Sequence, residues 1–481
     1  MNYRIIIKVI GYILIIESLL LIPSFLIELY TKAGNALAFG ITIILKLSIG
    51  FLLSRIRKGK SNISVREGLT IVSMTWISIS LFGAIPLYLT RTTPTFVDAF
   101  FEMVSCFTAT GATIIVDVEN LSYGILFWRS FTQWIGGMGI LLFTLAILPA
   151  LGIGGFQLYK YESPGPISSK IVPRLKDTAK ILYTIYIALT IIEIVLLKIG
   201  GMSFFDSVVY SFGTVGTGGY ATKNNSVAYY DSTYIHMVIA IFMTLSAINF
   251  TNYYSLLKGK VKDFFRDEEM RLYLGIQTLA VIFIALNLYA TTYDNLALAF
   301  RDSYFQSSSI MTTSGYFTVN YNLWTPFNKV ILLALMLVGG SAGSTAGGIK
   351  VIRILVLFKI IKREVKKIFH PRAVLPVKIN GKVISNETIS SIHSFTAIYM
   401  IILVISVIII SLEGIDLWSS ASSVIAMLSN IGVGFGDVGP SGAYTGFSQF
   451  SIFYFTILML LGRLEFFTIF ALIVPKKWSN E

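Results

Sequence analysis

Four short stretches rich in hydroxyls and glycine hold the residues of this sequence best suited to chemistry. The first is Thr108-Ala109-Thr110-Gly111-Ala112-Thr113. Thr217-Gly218-Gly219-Tyr220, Thr313-Ser314-Gly315-Tyr316 and Asn430-Ile431-Gly432-Val433 follow at intervals of about a hundred residues. Each comes after an apolar run too short to cross a membrane and before a much longer one. Glycine has no Cβ, so its backbone can turn sharply and pack close to an axis. Threonine and serine hydroxyls add oxygen ligands or hold carbonyls in register. Four such stretches meeting on one axis would form a ring of carbonyl oxygens able to replace the hydration shell of a monovalent cation. Short helices ending at the ring would add partial negative charge there. Asp117, Glu119 and Asp437 lie just outside the first and fourth stretches, where they would gather cations or simply stand in solvated loops. Any single glycine is equally well explained by close helix packing. Recurrence in four matching places favours the ring.

A second feature lies inside a long apolar segment. Gly339-Gly340-Ser341-Ala342-Gly343-Ser344-Thr345-Ala346-Gly347-Gly348 cannot remain an ordinary helix. It is expected to form a flexible intramembrane loop beneath the third stretch and to act as a gate. A phosphate-binding loop is excluded, because Ile349 stands where that pattern requires lysine. Arg463 and Glu465 fall in another apolar run, and intramembrane charges face a pathway or one another. Arg463 reads either as a positive barrier or gate anchor below the ring, or as half of a buried ion pair. Glu193 and Asn249 read as packing or snorkelling groups, and Trp134-Ile135-Gly136-Gly137-Met138-Gly139 as close helix packing. The sequence carries no HExxH pattern, Ser/His/Asp set or paired-carboxylate cleft, so neither an enzyme activity nor an organic cofactor is expected. The lone Cys106 excludes an intrachain disulfide.

The elements that position these residues are membrane spans. The chain of 481 residues is 55% hydrophobic and 13% charged, about half the charge of a soluble domain. Ile5–Leu29 and Ala36–Leu53 are two lead spans, the first too long for a cleavable signal. Then a grammar repeats: a span outward, a short helix, a polar stretch and a span back. The outward spans are Leu69–Leu89, Ile181–Leu197, Leu272–Ala290 and His393–Ser411. The short helices are Thr95–Phe107, Ser203–Thr214, Leu296–Thr312 and Asp416–Ser429. The return spans are Gly124–Leu148, Tyr234–Leu257, Pro326–Ile361 and Phe447–Val474. Basic loops at Ser54–Glu67, Pro149–Lys180, Lys258–Arg271 and Lys359–Lys378 all fall on one side, which the positive-inside rule makes cytoplasmic. Both termini are then inside. The expected fold is an all-α polytopic membrane protein with four fused helix–pore-helix–helix repeats around a pseudo-fourfold pore, plus two N-terminal transmembrane helices. Its parts are residues 1–67 (lead spans and basic loop), 68–180, 181–270, 271–380 with the gating loop, and 381–481.

These residues resemble the TrkH/TrkG/KtrB superfamily of potassium uptake proteins. The most specific matches are Gln133-Trp134-Ile135-Gly136-Gly137-Met138-Gly139, the Gly339–Gly348 block with Ile349-Lys350-Val351-Ile352-Arg353, and Leu461-Gly462-Arg463-Leu464-Glu465. The two extra N-terminal spans resemble the TrkH branch. The resemblance implies filter positions at Thr110 and Gly111, Thr217 and Gly218, Ser314 and Gly315, and Ile431 and Gly432, with K+ as the transported ion held by backbone carbonyls of the four glycines. It also implies a gating loop at Gly339–Gly348, Arg463 beneath the filter, and a homodimer in a bacterial or archaeal plasma (inner) membrane. A cytosolic TrkA-like regulatory ring binding NAD or ATP/ADP is the implied partner, with membrane lipid around the chain and no nucleic acid. Val433 departs from the proline expected there in the TrkH branch. Val433-Gly434-Phe435-Gly436-Asp437 leaves Gly434 as a rival to Gly432. The function expected is a potassium-selective, channel-like conduit. The alternative is an H+- or Na+-coupled symporter with alternating access, since broken helices serve such carriers too.

Overall fold

A computed structural model describes residues 3–56, 65–139 and 175–473 of the protein. Among these, six helices are long and apolar enough to cross a membrane: Tyr3–Thr31, Ala36–Ser54, Arg66–Leu89, Ala179–Ile199, Glu268–Thr291 and Asn386–Ser411. They are the two lead spans and the outward helix of each unit. The lead helices cross closely at Gly11 and Gly50, where a Cβ on either would lie 2.8 Å from the other's carbonyl oxygen. They dock on the first unit through buried charge. Lys46 meets Glu17 at 2.7 Å with both side chains fully buried, and its ammonium lies over the Trp128 ring. Glu28 accepts from the Gly124 N–H at 3.0 Å and from the Ser122 hydroxyl.

The four short helices are Phe96–Phe107, Phe204–Val215, Leu296–Met311 and Leu417–Leu428. Each opens on a residue whose side-chain oxygen accepts a first-turn N–H: Thr95, Ser203, Asn295 and Asp416. Such caps satisfy donors that an apolar surrounding cannot. At Thr95 the cap is reciprocal, because the Asp98 carboxylate accepts the Thr95 N–H at 3.1 Å.

The return helices differ from expectation. Only the break in the third unit was anticipated, yet Tyr234–Leu257 and Phe447–Val474 are broken too. Thr233–Ser246 gives way to Phe250–Leu257 at a 92° bend. Pro326–Val338 stops at Gly339, and Val351–Phe369 resumes beyond the loop. Gln449–Leu464 ends where Glu465 and Phe466 take positive φ, before Phe467–Ile473. In the first unit Tyr123–Gly137 ends just before Gly139, φ +79°. The remainder of the expected Gly124–Leu148 span lies outside the described residues, as do 57–64, 149–174 and 474–481 of the expected basic loops and tail. The Lys359–Lys378 segment is not a loop throughout. The helix runs on to Phe369, with Val356 and Ile360 its last buried positions. A two-stranded hairpin pairs Lys378 with Val383 and Ile379 with Lys382.

Candidate functional site

The four short helices terminate at Thr108, Gly216, Thr312 and Ser429. The third residue after each of these ends is a glycine of positive φ: Gly111, Gly219, Gly315 and Gly432, at +80°, +74°, +79° and +80°. A Cβ on Gly111 would lie 2.0 Å from the Gly218 carbonyl oxygen, and one on Gly219 1.8 Å from that of Ser314. On Gly315 it would lie 2.6 Å from the Ile431 oxygen, and on Gly432 2.3 Å from the Thr110 oxygen. Each unit's glycine therefore abuts the carbonyl of the next unit, and the fourth closes on the first. Only glycine permits both the backbone angle and the approach.

This register moves one expected pair. In the second unit Thr217 takes the place of Ala109, Thr313 and Asn430, all at φ between 54° and 58°. Gly218 corresponds to Thr110, and Gly219 rather than Gly218 corresponds to Gly111. Within a Gly-Gly pair sequence spacing cannot choose, whereas distance from the helix end does. In the fourth unit Gly432 holds the matching place. A Cβ on Gly434 would meet only side chains, those of Ser422 and Val438.

The strands are tied by side chains, several from the four stretches themselves and others, such as Gln133 and Tyr444, from outside them. The Thr108 and Thr110 hydroxyls pair at 2.7 Å, and those of Thr312 and Ser314 at 2.9 Å. Asn430 Nδ2 donates to Thr110 Oγ1 and to the Met459 carbonyl, both at 2.9 Å. Tyr220 donates to the Ala112 carbonyl at 2.7 Å, Tyr316 to the Tyr220 carbonyl at 3.0 Å and Tyr444 to the Gly432 carbonyl at 3.0 Å. Gln133 donates to the Gly218 carbonyl at 2.8 Å. Beneath Tyr220 lies a buried ion pair, Arg129 to Glu102 at 2.6 Å, with the guanidinium 4.0 Å from the Tyr220 ring centre.

On one side of the ring, Gly111, Gly219, Gly315 and Gly432 all open into a single cavity of about 110 Å³ that Arg129 and Tyr444 also line. Asp117 and Glu119 stand beyond it. The Asn224 side chain, 3.0 Å from Asp117, holds that carboxyl below its usual range. On the other side, the Gly339–Gly348 loop bonds to residues that precede the ring. The Gly347 N–H donates to Thr313 Oγ1 at 2.7 Å and the Gly348 N–H to the Ser429 carbonyl at 3.0 Å. The loop is held from below as well. Glu269 accepts the Ala342 N–H at 2.6 Å, the Ser341 N–H donates to the Ala247 carbonyl at 2.9 Å, and the Gly343 carbonyl accepts from Phe250 N–H at 3.1 Å. Asn249 caps the helix beginning at Phe250 and lies where a Cβ on Gly343 would fall. It is part of the loop's seat, which its expected packing role did not specify.

Arg463 reaches under the ring from the fourth unit. It donates to the Thr345 carbonyl at 3.2 Å and to the Gly137 carbonyl at 2.8 Å, and also to the Gly136 carbonyl. It thus joins the loop to the end of the Tyr123–Gly137 helix. Glu465 pairs with Arg353 at 2.6 Å. No group of three or more His, Cys, Asp or Glu side chains placed to hold a metal ion occurs among the described residues.

A family model described as TrkH, cation transport protein, matches residues 35–480. This chain belongs to the TrkH family. It is 38% identical to the Trk system potassium uptake protein TrkH of Escherichia coli (strain K12), over the whole of both chains. It is 34% identical to TrkG of the same strain, covering all of this chain and 99% of that protein. Among solved structures, the crystal structure of the potassium transporter TrkH from Vibrio parahaemolyticus superposes with a TM-score of 0.88 at 35% identity, covering 99% of this chain and all of that one. The TrkH-family fold is thereby fixed as a multi-pass helical membrane protein. Among the described residues, the helices include the two lead spans and, in each of the four expected segments, one long outward helix and one short helix. Gly136 falls in the Trp134–Gly139 stretch expected to pack helices closely, and Gln133 in the longer match to the family. Gly136 is packing, since a Cβ there would lie 1.8 Å from the Phe107 carbonyl oxygen. Gln133 is a main-chain ligand of the second strand, and nothing in its local sequence signals that.

Proposed function

We propose that this chain is the potassium-conducting membrane subunit of a Trk-type uptake system, working as a channel rather than as a rocking carrier. The observation that carries the reading is the closed cycle in which each unit's glycine meets the next unit's carbonyl. Main-chain carbonyls from Thr110, Gly218, Ser314 and Ile431, with those of the glycines that follow, are the donors expected to strip and hold K+. Four short helices ending just before the ring supply partial negative charge without a fixed carboxylate.

The loop Gly339–Gly348 is the gate on this reading, and Arg463 is its anchor and a positive barrier. Its support is the placement of the loop directly against Thr313 and Ser429. Control comes from a cytosolic TrkA-like ring binding NAD or ATP/ADP to a homodimer of this chain in a bacterial plasma membrane, with both termini inside. The support is the family membership and the basic helix and hairpin continuing from the loop, tied through Lys359 to Glu268 and to the Lys378 carbonyl.

The test is Rb+ uptake into liposomes holding the full chain, with K+ and Na+ as competitors. K+ should compete strongly and Na+ weakly, and flux should continue with no H+ or Na+ gradient. Flux that stops without such a gradient would overturn the channel reading in favour of coupled alternating access. Equal competition by the two ions would overturn the filter assignment.

A further inference from the structure

The four ring strands have equal backbones but unequal support. In the first and third units the helix-end residue and the residue two places on both carry hydroxyls, and these pair (Thr108 with Thr110, Thr312 with Ser314). The second unit has Gly216 and Gly218 at those places, so it has no such pair to make. The space is filled from another unit. A Cβ on Gly218 would lie 2.4 Å from Gln133 Cδ. Gln133 comes from the return helix of the first unit and is fully buried. Its Nε2 donates to the Gly218 carbonyl at 2.8 Å, and its Oε1 accepts the Tyr220 N–H at 3.2 Å. One amide thus brackets Gly219 on both sides. The reverse orientation of that amide would set donor against donor and acceptor against acceptor, so its direction is chemically determined. The same Nε2 lies 3.8 Å from where a Cβ on Gly111 would fall, which puts Gln133 at the seam between the first and second strands.

We propose that Gln133 is a specificity-determining positioning residue. It holds the Gly218 carbonyl and the Tyr220 N–H in place around Gly219, a side-chain brace for the one strand that has glycine where the first and third units have paired hydroxyls, and so keeps the ring from closing onto a cation smaller than K+. A carbonyl oxygen has two lone pairs. Gln133 engages one from outside and leaves the other for the ion. Without that tether the second strand, which has glycine at two consecutive positions, is the strand freest to move inward. The inference rests on the reading that the ring selects the ion.

The experiment is the same full chain in liposomes, comparing K+ and Na+ as competitors of Rb+ uptake for Gln133→Met, Gln133→Glu and Trp134→Phe. Met keeps length and loses both polar atoms. Glu keeps an acceptor for Tyr220 and, when ionised, sets an oxygen against the Gly218 carbonyl, so its ratio is read at alkaline pH. Trp134→Phe removes the neighbouring indole bond to Thr190, 3.0 Å, and leaves the Gln133 amide in place. Both Gln133 variants should lose about tenfold in K+ over Na+ preference, the worth of one ordinary buried hydrogen bond, at unchanged thermal midpoint or with a fall no larger than that of Trp134→Phe. Trp134→Phe should keep the wild-type ratio. A wild-type ratio in both Gln133 variants would overturn the proposal. So would failure of both to accumulate in the membrane when Trp134→Phe does, since Gln133 would then serve the fold. Gly111→Ser run alongside separates the two claims: if it too leaves the ratio unchanged, the ring is not the filter and the proposed function itself fails.

Discussion

The replacement Gly432→Ala sets the ring against the rival reading of the fourth stretch. A Cβ at Gly432 would lie 2.3 Å from the Thr110 carbonyl oxygen, 2.4 Å from the Ala112 nitrogen and 2.5 Å from the Gly111 carbonyl carbon, all main-chain atoms. Ordinary contact begins at 3.4 Å, so the Thr110 carbonyl must retreat by 1.1 Å (3.4 − 2.3). The φ of +80° adds a conformational cost of about 1–2 kcal/mol for any residue with a Cβ. A misplacement of about 1 Å in a positioned group is enough to cost about a hundredfold in its effect. K+ over Na+ competition against Rb+ uptake should therefore fall by up to about that factor. The control is Gly434→Ala. Its Cβ would meet the Ser422 hydroxyl at 2.7 Å, Val438 Cγ2 at 2.9 Å and Ser422 Cβ at 3.0 Å, the first two able to turn aside and none of them a ring main-chain atom. Disturbing Ser422, which accepts the Phe435 N–H at 2.9 Å, costs about 1 kcal/mol of stability and should leave selectivity intact. The reverse result, with Gly434→Ala abolishing discrimination and Gly432→Ala sparing it, would refute the register and the ring built on it.

Arg463→Leu removes the donors that join the loop at Thr345 to Gly136 and Gly137, so basal Rb+ flux should rise severalfold in liposomes holding the chain alone; flux at the wild-type level would show that the arginine does not restrain the loop. Deleting part of Gly339–Gly348 should raise basal flux in the same assay. Glu102→Ala leaves the buried Arg129 guanidinium without its carboxylate, and the detergent-solubilised protein should lose about 3–5 kcal/mol of stability, read as a fall in thermal midpoint. At Glu413, burial acts to raise the carboxyl, but the Ser448 and Ser451 hydroxyls and the Ser448 N–H outweigh it and hold the group below its usual range. A lowered folded value gives stability that is complete above the ordinary glutamate pKa of about 4.3 and is lost as pH falls through the folded value. The acid limb of a melting-temperature profile should flatten in Glu413→Gln, and an unchanged profile would count against that clasp.

Hydropathy and the recurrence of glycine made the units legible, because a helix too short to cross a membrane and a glycine beyond its end are local features. The ends of the short helices were readable for the same reason: Thr95, Ser203 and Asp416 cap within their own segments. What stayed hidden is either a one-residue choice or a contact between distant residues. Gly218 and Gly219 are adjacent and chemically identical, and only the third-residue rule counted from Gly216 separates them. Gln133 and Gly218 come from different units, as do Asn430 and Thr110. The breaks at Ala247 and Glu465 carry no glycine run to announce them, since what makes them tolerable is the neighbouring loop and Arg353, both remote in sequence.

Gate and filter are not independent devices on the proposed reading. The two loop donors nearest the ring, the Gly347 and Gly348 N–H groups, rest on Thr313 and Ser429, which lie one and two residues before the ring carbonyls of Ser314 and Ile431. If the loop withdraws, both donors and both acceptors lose these partners. A buried polar group left unpaired costs about 1–3 kcal/mol. The open state is therefore tolerable only when water follows the loop out and takes up those bonds. That couples opening to hydration of the space beneath the ring, where a cation leaving the carbonyls needs water as well. Arg463 strengthens the coupling, since its charge sits among the Thr345, Gly136 and Gly137 carbonyls while the loop is closed and must be rehydrated or re-paired when it opens. A loop that moved without admitting water would leave these groups bare, so the state that frees the loop is the same state that wets the path of the ion.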